Sequence, residues 1–229
     1  MTDQQDPLDH IQNMLENKSM AKQLTYKNLL TAFEWLSQES KRIIDELRLK
    51  VKPADEDVTV DFYPVNEHEF HVKLAGDLLV FVLHTNVVTF DDKQAIMKVP
   101  YIRRKEANRY FGQIMIYNFM SDSIKFNRLN DPGYLLARLL INHESRFLVE
   151  GDGDLGLIYR MISNNPIKEK DINNIVKLSL KIAIENDLMA APFTQVRLIT
   201  LFQKIEKTQE LGAGQKIGFK MSYQHSTAS

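Results

Sequence analysis

VTVDFYP (58–64), EFHVKLA (69–75) and LLVFVLHT (78–85) are three runs of β-branched and aromatic residues, each of strand length. Pro64–Glu67 separates the first two and Gly76–Asp77 the last two. Gly-Asp between such runs signals a tight hairpin, because glycine accepts the positive φ that the turn requires. With Gly76–Asp77 as a two-residue loop, Ala75 pairs with Leu78, Lys73 with Val80, His71 with Val82 and Glu69 with His84. Phe70, Val72, Leu74, Leu79, Phe81 and Leu83 then share one face, the expected core. The other face carries Glu69, His71, Lys73 and His84 among Leu78, Val80 and Val82.

Upstream, a long helix is expected from Thr25, acting as cap, to Lys50, with Leu29, Leu30, Phe33, Leu36, Ile43, Ile44 and Leu47 as its buried stripe. Downstream, FGQIMIYNF (111–119) and SIKFNRL (123–129) read as further strands. Asp131-Pro132 reads as an N-cap and first helical residue, opening a helix through GYLLARLLIN (133–142). SRFLVEG (145–151) is a short strand, and the glycines and aspartates of 151–156 form a loop with capping aspartates. A helix of about five turns follows Pro166 and ends at Asp187. FTQVRLITLFQKIEK (193–207) fits helix or strand, and the Gly212, Gly214 turn before KIGFKMSYQ favours a C-terminal β-hairpin. The fold class is therefore α+β, a mainly antiparallel sheet packed by a long N-terminal helix and C-terminal helices. The expected organisation is a flexible segment 1–24, a single domain 25–224 and a disordered tail 225–229.

Of 229 residues, 44% are hydrophobic and 26% charged, with 29 basic against 30 acidic side chains. That balance excludes disordered and collagen-like classes and argues against a wholly basic nucleic-acid binder. Without cysteine there is no disulfide, no thiolate nucleophile and no Cys-ligated metal. The acidic start MTDQQDPLDH lacks signal-peptide character, and no apolar run approaches the ~20 residues that span a bilayer. The expectation is a cytoplasmic protein without membrane contact.

No GxxxxGK[ST], GxSxG or HExxH occurs. Gly151, Gly153 and Gly156 are closely spaced after a strand, but Asp152 and Asp154 between them would repel a phosphate unless a metal intervened, so no cofactor is expected from motifs. In the hairpin register above, Glu69, His71 and His84 form one cross-strand patch, where two imidazoles and a carboxylate suit a divalent metal or acid–base chemistry. Charge is segregated along the chain. Residues 58–92 hold one basic and six acidic side chains, whereas 93–146 hold ten basic and four acidic. Arg103, Arg104, Lys105 and Arg109, close to Tyr101, Tyr110 and Phe111, are the candidate anion-binding residues.

The order helix, three strands, insertion, helix, strand over 25–150 is similar to the restriction-endonuclease-like nuclease core. That resemblance implies an Asp and a Glu-x-Lys holding magnesium on adjacent central strands. Here Glu69-Phe70-His71 is the nearest fragment, with histidine in place of lysine, and LLVFVLH contains no such triplet. Three functions compete on these readings. The leading one is a non-catalytic module acting through protein or small-ligand contacts. The others are a nucleic-acid-associated protein using 98–128, with a degenerate nuclease-like core, and a metal-dependent enzyme using Glu69, His71 and His84.

Overall fold

The computed structural model describes residues 6–52, 58–129, 131–186, 194, 197, 198 and 200–202. Helix α1 (Pro7–Asn13) runs through a π-helical turn (Met14–Ser19) into α2 (Met20–Lys50). Strands β1 (Val60–Asn66), β2 (Glu69–Leu74) and β3 (Asp77–Val88) follow. An excursion holds a 3-10 turn (Ala95–Lys98), α3 (Pro100–Arg104) and a second 3-10 turn (Glu106–Arg109). Then come β4 (Phe111–Met120), α4 (Ser121–Lys125), β5 (Tyr134–Ile141), β6 (Phe147–Gly151), α5 (Gly153–Tyr159) and α6 (Glu169–Glu185). The six strands form one sheet in chain order, every neighbouring pair antiparallel, which makes this the expected α+β architecture. The register slips once in β1, between Pro64 and Asn66.

Helices α2 and α6 cover the inner face of the sheet. Leu29, Phe33, Leu36 and Ile44 of α2 and Ile175 and Val176 of α6 meet Phe70, Phe81, Ile114 and Leu139 in one buried cluster. The expected hairpin core face is present, with Phe81 stacked on Phe70 at 4.5 Å between ring centres. A second, smaller cluster lies on the outer face, where Met97, Ile102 and Phe111 close over Leu140 and Leu148.

The structure corrects several local expectations. The helix does not begin at Thr25: helical residues extend back to Pro7, and Thr25 is buried within α2 rather than capping it, while Leu30 of the expected stripe is exposed. Residues 134–141 are strand β5, not helix. Its C-terminal part is buried on both faces, and such a strand reads as an unbroken apolar run that periodicity cannot tell from a helix. Residues 123–129 are not a strand. The chain leaves β4 through α4 and closes a turn in which the Arg128 N–H donates to the Ser123 carbonyl at 2.7 Å. The aspartates after Gly151 do not cap α5: Asp152 makes no side-chain capping bond, and Asp154 pairs with Lys181 at 3.0 Å. Most of the expected C-terminal hairpin, and Asp187, lie outside the described residues.

The β2–β3 turn is also displaced. Leu74 pairs with Asp77, so the two loop residues are Ala75 and Gly76, and it is Ala75 that takes the left-handed conformation, at φ 51°. An L-residue with a Cβ is strained there by roughly 1–2 kcal/mol, a cost glycine does not bear. Ala75→Gly is therefore expected to stabilise the fold by about 0.5–1 kcal/mol, after the added freedom of the unfolded chain is deducted. Chemical denaturation checks this, and a lowered midpoint would refute the strain.

Candidate functional site

Moving the turn by one residue shifts the pairing register by two and dissolves the expected metal patch. Glu69 lies opposite Val82 and His71 opposite Val80, while His84 is exposed farther along β3, opposite Gln113. His71 Nε2 and Glu69 Oε1 do meet, at 2.6 Å, as same-face neighbours on β2. The flanking β1 positions are Tyr63 and Asn66, so no second carboxylate faces them in the manner the nuclease resemblance implies. Among the described residues, no group of three His, Cys, Asp or Glu side chains is placed to hold a metal ion.

What the outer face does present is an apolar band. Register sets His71, Val80, Tyr117 and Leu135 in one row, Lys73, Leu78 and Phe119 in the next, and Glu69, Val82, Met115, Arg138 and Glu150 in a third. The excursion between β3 and β4 covers the sheet only as far as Phe90, whose ring lies under the Arg138 guanidinium at 5.4 Å. Arg138 itself pairs with Glu150 and donates to Gln113 Oε1 at 3.3 Å, forming a polar border. Beyond that border burial falls off towards β5: Leu78 and Val80 are buried, Met115, Tyr117 and Phe119 are half-buried, and Leu135 is 46% exposed.

The basic run is only partly a surface. Arg103, Arg104 and Lys105 are exposed at the end of α3 and, among the described residues, have no ion-pair partner. Arg109, in contrast, is tied to Asp92 at 2.6 Å and to the Thr89 hydroxyl at 3.2 Å. Arg128 is withdrawn altogether, buried beside Asp131 with the Phe126 ring 5.2 Å away. The N-terminal helical region adds cations the local run did not announce. Lys18 lies in the π-helical turn, which packs beside residues 106–109, and Lys22 sits 5.2 Å over the Tyr110 ring.

A polar cluster missed by sequence reasoning joins α2, α3 and the β5–β6 turn. The Tyr101 hydroxyl donates to Glu144 Oε2 at 2.8 Å and accepts from Asn142 Nδ2 at 2.7 Å. Arg146 stacks on the Tyr101 ring at 4.1 Å and pairs with Glu144 at 3.2 Å. Asn142 Oδ1 accepts the backbone N–H groups of Glu144 and Arg146, and Asn28 donates to the Asn142 and His143 carbonyls. Burial, with the Glu144 carboxylate adding to it, pushes the Tyr101 hydroxyl up to about 12. A phenol held neutral in this way and already bonded twice is a clamp rather than a base.

His143 sits in the same turn, its Nδ1 buried without a hydrogen-bond partner. Burial pushes its imidazole below the ordinary histidine range, against the pull of Glu144. Because the folded ring binds its proton less readily than the unfolded one, stability falls as pH drops through about 6.5 and levels off once the folded ring protonates. His143→Gln is expected to flatten the pH dependence of the denaturation midpoint between about pH 7 and 5. An unchanged slope would assign that titration to other groups.

In comparisons with known proteins, no family model, no curated protein and no solved structure matched this chain.

Proposed function

We propose that this chain is a non-catalytic binding module, cytoplasmic in location, whose open sheet face takes a protein partner. The observation that carries the reading is the apolar band that opens from buried Val80 through half-buried Tyr117 to exposed Leu135, bordered by Arg138, Glu150, Lys73 and Glu69. An apolar centre with a polar rim is the usual anatomy of a protein interface. A small ligand is less well served. The cleft between Phe147, Tyr159 and the start of α6 measures about 210 Å³, below the ~300–1,000 Å³ usual for ligand pockets. Among the described residues, no helix is long and apolar enough to cross a membrane.

A photo-reactive residue in place of Tyr117 tests the reading: it is expected to capture a partner that can then be purified and titrated. Leu135→Asp is expected to weaken that complex at least tenfold, whereas the double variant Arg103→Glu, Arg104→Glu leaves it unchanged. The reverse pattern would overturn the assignment of the face.

A second reading, anionic-polymer binding, is favoured by one observation: Arg103, Arg104 and Lys105 are exposed with no ion-pair partner among the described residues, and Lys18 and Lys22 approach from a distant part of the chain. Three phosphate contacts would give a log–log salt slope of about −2.7 on duplex nucleic acid. No binding to such a duplex at low salt would end this reading.

A further inference from the structure

Helix α1 and the π-helical turn contain no buried residue, yet they carry a continuous apolar stripe. Leu8, Ile11, Leu15, Met20 and Leu24 are all between 46% (Leu24) and 70% (Leu8) exposed. Their spacings are three, four, five and four. Steps of three and four keep one face of an α-helix, and the step of five falls from Leu15, inside the π-helical turn, to Met20 just beyond it. There, i→i+5 bonding makes the fifth residue the same-face neighbour. The π turn therefore brings Met20 and Leu24 into line with the apolar residues before it. Lys22 sits over Tyr110 and the π turn packs beside residues 106–109, so this helical region meets the body through a different side. Single exposed apolar residues are ordinary, but a stripe about 25 Å long is an interaction surface.

Charge along the same helical region says what covers it. From residue 6 to 16 there are three acids, Asp6, Asp9 and Glu16, and no lysine or arginine. From 17 to 30 there are three lysines, Lys18, Lys22 and Lys27, and no acid. We propose that the stripe is a contact between two copies of this chain, packed as antiparallel helices about a two-fold axis near Leu15. Leu8 then meets Leu24 of the second copy, Ile11 meets Met20, and each acidic half lies along the half of the other that carries Lys18 and Lys27, Lys22 being held over Tyr110 of its own chain. A parallel pair would set acid against acid. The carboxylate nearest the axis, Glu16, is drawn back along its own helix by Gln12 Nε2 at 2.7 Å. Such an interface is isologous, so two copies satisfy it and no open polymer results. It lies on different elements from the open sheet face, and its test is separate from that of the binding reading.

The absence of cysteine makes the geometry directly readable, because any introduced thiol is unique. Leu8→Cys and Leu24→Cys, prepared separately and mixed under mild oxidation, are expected to form the mixed disulfide in excess over either homodimer. Leu15→Cys alone is expected to cross-link to itself. By sedimentation equilibrium up to ~100 μM, the protein is expected to dimerise, with Ile11→Asp, Leu15→Asp raising the dissociation constant at least tenfold. Far-UV dichroism and the melting midpoint check that this double variant stays folded, as expected where nothing is buried. A protein monomeric throughout, a dimer indifferent to the double variant, or preferential self-cross-linking of Leu8→Cys would each overturn the proposal. A monomer that instead sediments with zwitterionic lipid vesicles would assign the stripe to a lipid surface.

Discussion

Phe81→Ala is expected to cost about 3–5 kcal/mol, the range for a large aromatic lost from a close-packed core. Phe81 is fully buried, stacked on Phe70 at 4.5 Å with 13° between the rings, and Phe70 in turn touches Phe33 of α2 at 5.3 Å and Phe62 of β1 at 5.5 Å. The ring therefore joins the middle of the sheet to the helix layer through Phe70. A cavity there has rigid walls on the ladder side, since β3 is bonded to both β2 and β4, and the site cannot collapse to recover the loss. Against a total stability of about 5–15 kcal/mol, the loss should be visible as a large drop in the denaturation midpoint. A midpoint unchanged by the substitution would remove Phe81 from the core.

Gly156→Ala is the second large effect, and its sign runs against local propensity. Within a helix, alanine is favoured over glycine by about 1 kcal/mol, so the change in α5 should stabilise on that ground alone. A Cβ at 156, however, would stand 2.0 Å from the Gly151 carbonyl oxygen and 3.1 Å from its carbon. That obstacle is backbone at the end of β6, with no side-chain rotation to relieve it. Moving α5 away from β6 would also disturb the fully buried Leu155. A net destabilisation of about 2–3 kcal/mol is expected, in the range of overpacked sites. Calorimetry of the variant checks it, and a raised melting midpoint would show that α5 shifts freely.

Much of the architecture was legible because β1 to β4 alternate or end in recognisable turns, and because the buried positions of α2 recur at helical spacing. Residues 134–141 were not legible for a physical reason. Leu, Ala and Arg favour helix locally, and only the ladders to β4 and β6, formed by distant residues, select the strand. The hairpin register slipped because glycine marked the turn while Ala75 took the left-handed position. That shift of two kept every side chain on its expected face but separated His84 from Glu69 and His71. Of the cationic run, Arg103, Arg104 and Lys105 were readable as neighbours in sequence. The pairing of Arg109 with Asp92 and the approach of Lys22 to Tyr110 were not, since both depend on tertiary contacts. The Tyr101 cluster has the same cause: Asn142 is 41 residues away along the chain.

The slip in β1 at Pro64 bears on a hazard every open sheet carries. Among the described residues the six-stranded meander has two margins, and an open margin offers unpaired backbone groups as a template for another chain, the first step towards fibrous aggregates. At the β1 margin, Pro64 has no N–H to donate, and the irregularity between Pro64 and Asn66 breaks the straight row that a docking strand would need. At the β6 margin, Ser163 already occupies the groups of Phe147, its hydroxyl accepting the N–H at 3.0 Å and its own N–H reaching the carbonyl at 2.7 Å. At the β1 margin Arg48 also donates to the Val60 carbonyl at 2.7 Å, but the blunting by Pro64 and Ser163 does not depend on charge and should persist at high salt, where electrostatic repulsion between molecules is screened.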